Sequence, residues 1–212
     1  MERYARNRTL IFIAFIGLSL YAALAGAPTE LPFECQTDCV SPYGKVIGTS
    51  RRGIAAYSNC NSRCVIYEPN YWEGTYTGLK WQCVEYSRRW LLVNRGAVYD
   101  DVDIAADIWN NIDHLTEIAT NKKLPLESHL NGSKQPPQFG DLLVYSKDYH
   151  NTGHVAVVVD VDIRGGYIEV GEQNYNNDLW PGEFSRKIGL IKKDDRYWLL
   201  DAYLLGWKHV KI

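Results

Sequence analysis

Five cysteines, four of them in two pairs of matched spacing, constrain this chain more than any other feature. Cys35-Gln-Thr-Asp-Cys39 and Cys60-Asn-Ser-Arg-Cys64 repeat one spacing, and Cys83 stands apart. Such a set either forms disulfides, in one of three connectivities, or ligates zinc, whose ligands also sit on short turns. The preceding segment favours disulfides. Arg3, Arg6 and Arg8 lead into the apolar run LIFIAFIGLSLYAALA, residues 10–25, which ends on the small residues Ala23 and Ala25. That is the pattern of a secretory signal over 1–25, cleaved before Gly26. The run is shorter than the ~20 residues a spanning helix prefers, and an uncleaved anchor is the alternative. A secreted chain enters an oxidising compartment, where Cys35, Cys39, Cys60 and Cys64 are expected to pair among themselves. One option, the nested pairing Cys35–Cys64 and Cys39–Cys60, would staple the segment 26–41 to the next loop. An odd thiol left in such a protein is a dangling partner or a reactive group, which singles out Cys83.

The remaining 42–212 segment has the size of one domain. At 46% hydrophobic and 23% charged residues the chain can bury a core. A formal charge of −2 lacks the basic surplus that phosphate backbones require, so nucleic acid is not an expected partner. No internal repeat and no Gly-rich phosphate loop is present, which removes solenoids and gives no support to nucleotide use.

Periodicity reads as α+β, with helices first. Ser50-Arg51-Arg52-Gly53 is expected to turn between short strands at 45–48 and 53–57. From Gln82, the residues Cys83, Tyr86, Ser87, Trp90, Leu91 and Asn94 recur at helical spacing, and Gly96 is placed to stop the helix. A second helix is expected over about 103–118, with Ile104, Ile108, Ile112 and Leu115 on one face. A polar loop through Asn131-Gly132-Ser133 and Pro136-Pro137 follows. Strands are then expected at 141–145, 154–161, 167–170, 188–191 and 197–200. The expected architecture is a set of amino-terminal helices packed on an antiparallel β-sheet.

Three residues could share one piece of chemistry. A thiol attacks carbonyls as the thiolate, and a helix start or a neighbouring imidazole favours that form. Cys83 lies in the first turn of the expected helix. His154 opens a strand of nearly unbroken valine. Glu172 closes the next strand pattern, and a hairpin would bring it to the far nitrogen of His154 to fix the tautomer. Asn174 could take that role instead. Singly, each has a plain structural reading: a packed thiol, a turn histidine and a solvated carboxylate. His150 and His154 share i, i+4 spacing, but Asn151-Thr152-Gly153 breaks a helix, so no metal is expected there. Asp100, Asp101 and Asp103 read as a solvated helix start.

Trp81-Gln82-Cys83-Val84-Glu85-Tyr86-Ser87-Arg88-Arg89-Trp90, Asn151-Thr152-Gly153-His154-Val155-Ala156 and Glu172-Gln173-Asn174 together resemble the CHAP family. These are cysteine- and histidine-dependent amidohydrolases and peptidases of papain-like fold. Within the family the chain resembles the amidase domain of bifunctional glutathionylspermidine synthetase/amidases and their trypanothione relatives, over about residues 42–210. The resemblance implies Cys83 as nucleophile, His154 as general base then acid, and Glu172 as the orienting carboxylate. It places Arg88 near a substrate carboxylate or glycine carbonyl. Gln82, next to the nucleophile, could donate to the oxyanion. No metal or organic cofactor is implied. No counterpart of the synthetase half is expected in this chain, and the expected secretory signal with four extra cysteines departs from a cytosolic thiol-metabolism enzyme. The expectation is a secreted or lumenal amidase acting on a small amide or peptide-like substrate. A peptidoglycan amidase or endopeptidase is the alternative, and a non-catalytic binding module on the same fold is the rival from another class. Contact with a membrane is expected only through an uncleaved anchor.

Overall fold

The computed structural model describes residues 30–211. The expected secretory signal, 1–25, lies outside the described residues. From Pro32 on, the chain is one compact unit that includes the cysteine-bearing segment. Cys35 bonds to Cys64 and Cys39 to Cys60. The four thiols are therefore disulfides in the nested arrangement, and zinc, which the spacing alone had left open, has no thiolate there to bind.

Two small hairpins precede the main sheet. β1 (Val46–Thr49) pairs with β2 (Ala55–Tyr57), and β3 (Pro69–Trp72) with β4 (Thr75–Leu79). The turn between the first two is closed by Gly53 N–H to Ser50 O at 2.7 Å, as the sequence predicts. α1 (Cys83–Arg95) follows. Gln82 is extended, Glu85 sits in the first turn and Arg95 in the last, each at the helix end its charge favours. Gly96, at φ 64°, ends the helix in the left-handed region and returns its N–H to Leu92 O. Tyr86, Trp90 and Leu91 form the buried face of α1.

The main sheet has nine strands in the order β12-β11-β10-β9-β8-β13-β7-β6-β5. In chain order these are β5 (Ala97–Val98), β6 (His114–Glu117), β7 (Lys123–Leu130), β8 (Leu142–Tyr145), β9 (Val155–Asp162), β10 (Tyr167–Gly171), β11 (Arg186–Lys193), β12 (Arg196–Leu199) and β13 (Leu204–Val210). Every neighbouring pair in the sheet is antiparallel. β9 explains its own composition. Val155, Val157 and Val159 face the core shared with α1, whereas Ala156 and Val158 face a second core with Ile168, Ile188 and Trp207. A strand covered on both faces reads as continuous valine rather than as alternation.

The second expected helix is corrected. Over 103–118 the chain forms a 3-10 turn, Ala105–Asp107, a four-residue helix α2 (Ile108–Asn111), and then β6. Asn110, Asn111 and Asp113 are weak helix formers. Ile112 turns extended at φ −108°, ψ 113°, and Leu115 pairs with Leu124 of β7. Ile108, Ile112 and Leu115 are still buried, so the apolar spacing reported burial and not helix. Among the described residues one long helix therefore stands where two were expected. Among the described residues no helix is long and apolar enough to cross a membrane.

Candidate active site

Cys83 is the first residue of α1 and the only free cysteine. Its thiol is half-buried at the wall of a cleft of about 550 Å³. Burial pushes the thiol pKa up. The charge and hydrogen bond of His154, with backbone hydrogen bonds at Val155 and Val84, outweigh it and bring the pKa below the usual thiol value. His154 sits one residue before β9. Its carbonyl accepts from Tyr145 N–H of β8 at 3.0 Å, which ties the imidazole to the sheet. Gly153 makes the approach possible: it has φ +70°, and a Cβ there would lie 2.6 Å from Tyr145 O and 2.8 Å from Ala106 Cβ.

β9 and β10 form the hairpin the sequence predicts, with Gly171 opposite Val157. Glu172, just past β10, reaches His154 Nε2 with Oε2 at 2.8 Å, and both side chains are buried. This leaves Nδ1 of the ring for the thiol. Burial alone would lower the imidazole pKa, but the Cys83 charge and hydrogen bond, followed by those of Glu172, raise it to about 9. Thiol and imidazole shift each other in opposite directions, the thiol down and the imidazole up, which is the direction of a thiolate–imidazolium pair.

Glu172 is itself held. Burial raises its pKa, but the Arg186 charge and the bonds from His154 and Arg186 bring it down to about 2. Arg186 Nε donates to Oε1 at 2.8 Å and Ser185 Oγ donates to the same oxygen at 3.0 Å. Arg186 also donates through Nη1 to Asp201 at 2.6 Å and through Nη2 to Tyr145 OH at 2.8 Å, and it lies 4.0 Å over the Tyr175 ring. The sequence reading missed Arg186 because it started this strand at Ile188. β11 begins at Arg186, opposite Val170, and that register sets the guanidinium beside Glu172.

Asn174 does not bond to the imidazole. Its Nδ2 donates to Gln82 Oε1 at 2.8 Å, and both residues line the cleft. Arg88 is buried behind the cleft wall and is not part of the lining. It donates to Asp101 at 2.9 Å and to Tyr76 O at 3.1 Å, and those two residues do face the cleft. A second buried network fixes the start of α1. Glu85 accepts from Arg89 at 2.7 Å, from Asn70 at 2.8 Å and from Gln173 at 3.0 Å, and Gln173 Nε2 also reaches Gln82 O. It joins the helix bearing Cys83 to the chain that follows Glu172.

Comparison with known proteins fits this geometry. The chain is 32% identical over 182 residues to the bifunctional glutathionylspermidine synthetase/amidase of Escherichia coli (strain K12), covering 79% of this chain and 29% of that protein. It is 32% identical over 161 residues to trypanothione synthetase of Crithidia fasciculata, covering 76% of this chain and 24% of that protein. The chain thus spans less than a third of the length of these relatives. A family match begins just before β4 and ends at Asn174, taking in the thiol, the imidazole and the carboxylate. Residues 74–174 of this chain are a CHAP domain.

Proposed function

We propose that this chain is a cysteine amidohydrolase that works through a thioester acyl-enzyme, on a papain-like arrangement of one helix against an antiparallel sheet. The observation that carries the reading is the buried 2.8 Å bond from Glu172 to the face of His154 turned away from Cys83. It fixes the ring with Nδ1 towards the thiol and keeps its charge balanced. The Cys83 thiolate attacks an amide carbonyl, forming the C–S bond. The oxyanion takes hydrogen bonds from the Cys83 N–H and from Gln82 Nε2. The imidazolium of His154 passes its proton to the leaving amine, and the C–N bond breaks. Neutral His154 then takes a proton from water as the water attacks the thioester, and the thiolate leaves. Arg186 and Ser185 act on Glu172 and not on the substrate.

The substrate class is a small amide or peptide-like molecule, with the glutathionylspermidine-type amide first. Two disulfides suit an oxidising compartment, and this favours secretion. It also supports a second reading, an amide or cross-bridge of peptidoglycan as the substrate. Purified protein incubated separately with glutathionylspermidine and with peptidoglycan, and analysed by mass for released amines, distinguishes the two. Iodoacetamide labelling tests the nucleophile in the same preparation. Labelling confined to Cys83 with parallel loss of turnover is the expected result. Full amidase activity in Cys83→Ala would exclude Cys83 as the nucleophile, whereas an unreactive Cys83 with no turnover of either substrate would leave a binding module on an enzyme-like fold.

A further inference from the structure

The two disulfides bracket a segment that reaches the cleft. Ser62 lies between Cys60 and Cys64, and with Val65 and Tyr67 it forms one wall. Asn59, next to Cys60, is fully buried and carries the contact between this segment and Gln82. Its Nδ2 donates to Cys64 O at 2.6 Å and to Asn61 O at 3.3 Å. Its Oδ1 accepts from Gln82 Nε2 at 3.3 Å. Its backbone N–H is held by Asn177 Oδ1 at 2.7 Å, so the residue is pinned from the loop after β10 as well.

The polarity of this chain of carboxamides is set at one end. Cys64 O is a backbone carbonyl and can only accept. Asn59 must therefore turn its NH₂ to Cys64 and its oxygen to Gln82. Gln82 must turn its NH₂ to Asn59 and its oxygen away, where Asn174 Nδ2 meets it at 2.8 Å. The oxygen end of Gln82 is held by one short bond. The nitrogen end is held only by long ones, to Asn59 at 3.3 Å and to Cys64 O at 3.4 Å. Both N–H groups of Gln82 are engaged, but over long contacts, so one can be given up to a stronger acceptor in the cleft while the other keeps the carboxamide aimed.

We infer that Asn59 is a positioning residue that aims the Gln82 carboxamide at the oxyanion, with the disulfide-bound Cys64 carbonyl fixing its orientation. The inference rests on the amidase reading above. Asn59 touches neither Cys83 nor His154, and its effect passes through Gln82. The disulfides thereby become part of the scaffold of the reacting centre and not only a staple of the amino-terminal segment.

A double-mutant cycle with a second, chemistry-independent readout tests this. Gln82→Ala should lower kcat by ~10² where one oxyanion donor is lost, and Asn59→Ala should lower kcat by ~10, with KM little changed. Asn59→Ala in the Gln82→Ala background should lower kcat by no more than about twofold further, because its route is already gone. The rate of Cys83 alkylation by iodoacetamide, which forms no oxyanion, should stay within about twofold of wild type in both variants. If Asn59→Ala does not fold, Asn59→Ser replaces it: the hydroxyl can still donate locally but is too short to reach Gln82. Equal kcat losses from the Asn59 substitution with and without Gln82, or a matching loss of alkylation rate, would overturn the assignment. So would full kcat in Gln82→Ala. Cys83→Ala is run alongside, and turnover in that variant would sink the cysteine-nucleophile reading on which the inference rests.

Discussion

Deleting the disulfides one pair at a time should reveal their nesting. Cys39–Cys60 closes a separation of 21 residues inside Cys35–Cys64, which closes 29. Taken alone, loops of these lengths restrict the unfolded chain by about 3.3 and about 3.6 kcal/mol at 25 °C. Together they do not restrict it by the total. With the inner bond in place, the outer bond closes only two short arms, residues 35–39 and 60–64, a ring of roughly eight residues worth about 2.5 kcal/mol. The two bonds together therefore contribute about 6 kcal/mol, and removing either one alone costs only about 2–2.5 kcal/mol. The quadruple variant Cys35→Ala/Cys39→Ala/Cys60→Ala/Cys64→Ala should thus lose more than both paired variants combined, by about 1 kcal/mol. Urea denaturation of Cys35→Ala/Cys64→Ala, of Cys39→Ala/Cys60→Ala and of the quadruple variant measures all three, with m-values rising as the unfolded chain expands. A quadruple variant no less stable than one paired variant would refute the nested-loop reasoning.

The pH profile should be bell-shaped. Acid protonates the thiolate, and alkali removes the proton from His154, whose pKa is raised to about 9. With the ring held protonated by its neighbours, the acid limb belongs to Cys83. Glu172→Gln removes the charge that favours the imidazolium, so the alkaline limb of kcat/KM should move to lower pH and the maximum should fall by roughly 10²; an unmoved limb would exclude Glu172 from the relay. Arg186→Met leaves the buried Glu172 carboxylate without its cation and should destabilise the protein by ~3 kcal/mol in urea. Its acid sensitivity follows from the sign. Glu172 has a depressed folded pKa of about 2, so its contribution is present above the ordinary carboxylate range and is lost as pH falls towards that value. Without Arg186 the folded pKa rises, and the contribution should shrink and be lost at higher pH; stability curves at pH 7 and pH 3 check this.

The parts legible in the sequence were those whose signals are local. Gly96 marked the end of α1, continuous valine marked β9, and the β9–β10 turn brought Glu172 to His154 within 18 residues of chain. The parts that were not legible depend on pairings across long separations. β7 and β13 pair through Trp207 opposite His129, and no local pattern announces that register. Arg186 is close to Glu172 in the chain but reaches it only because β11 starts opposite Val170, a register that no local pattern announces either. The false helix over 103–118 came from a spacing of Ile108, Ile112 and Leu115 that burial imposed on a turn and a strand alike.

These differences explain how the site is built. The reacting pair is specified locally, by a helix start and a strand start that each present one side chain. Its electrostatics are specified at a distance. Arg186, at the start of the neighbouring strand β11, and Asp201, just past β12, keep Glu172 ionised. Asn59 and Cys64 come from the disulfide-bound segment to hold Gln82. A buried ion pair without those partners would meet the desolvation penalty of a charged group in a low-dielectric interior. With them, Arg186 holds Glu172 ionised, and the charges of Cys83 and Glu172 raise the imidazole value as His154 lowers that of the thiol. A substitution that spares Cys83, His154 and Glu172 can therefore still silence the site, and the positions where this should happen include Arg186 and Asn59, neither of which is one of the three.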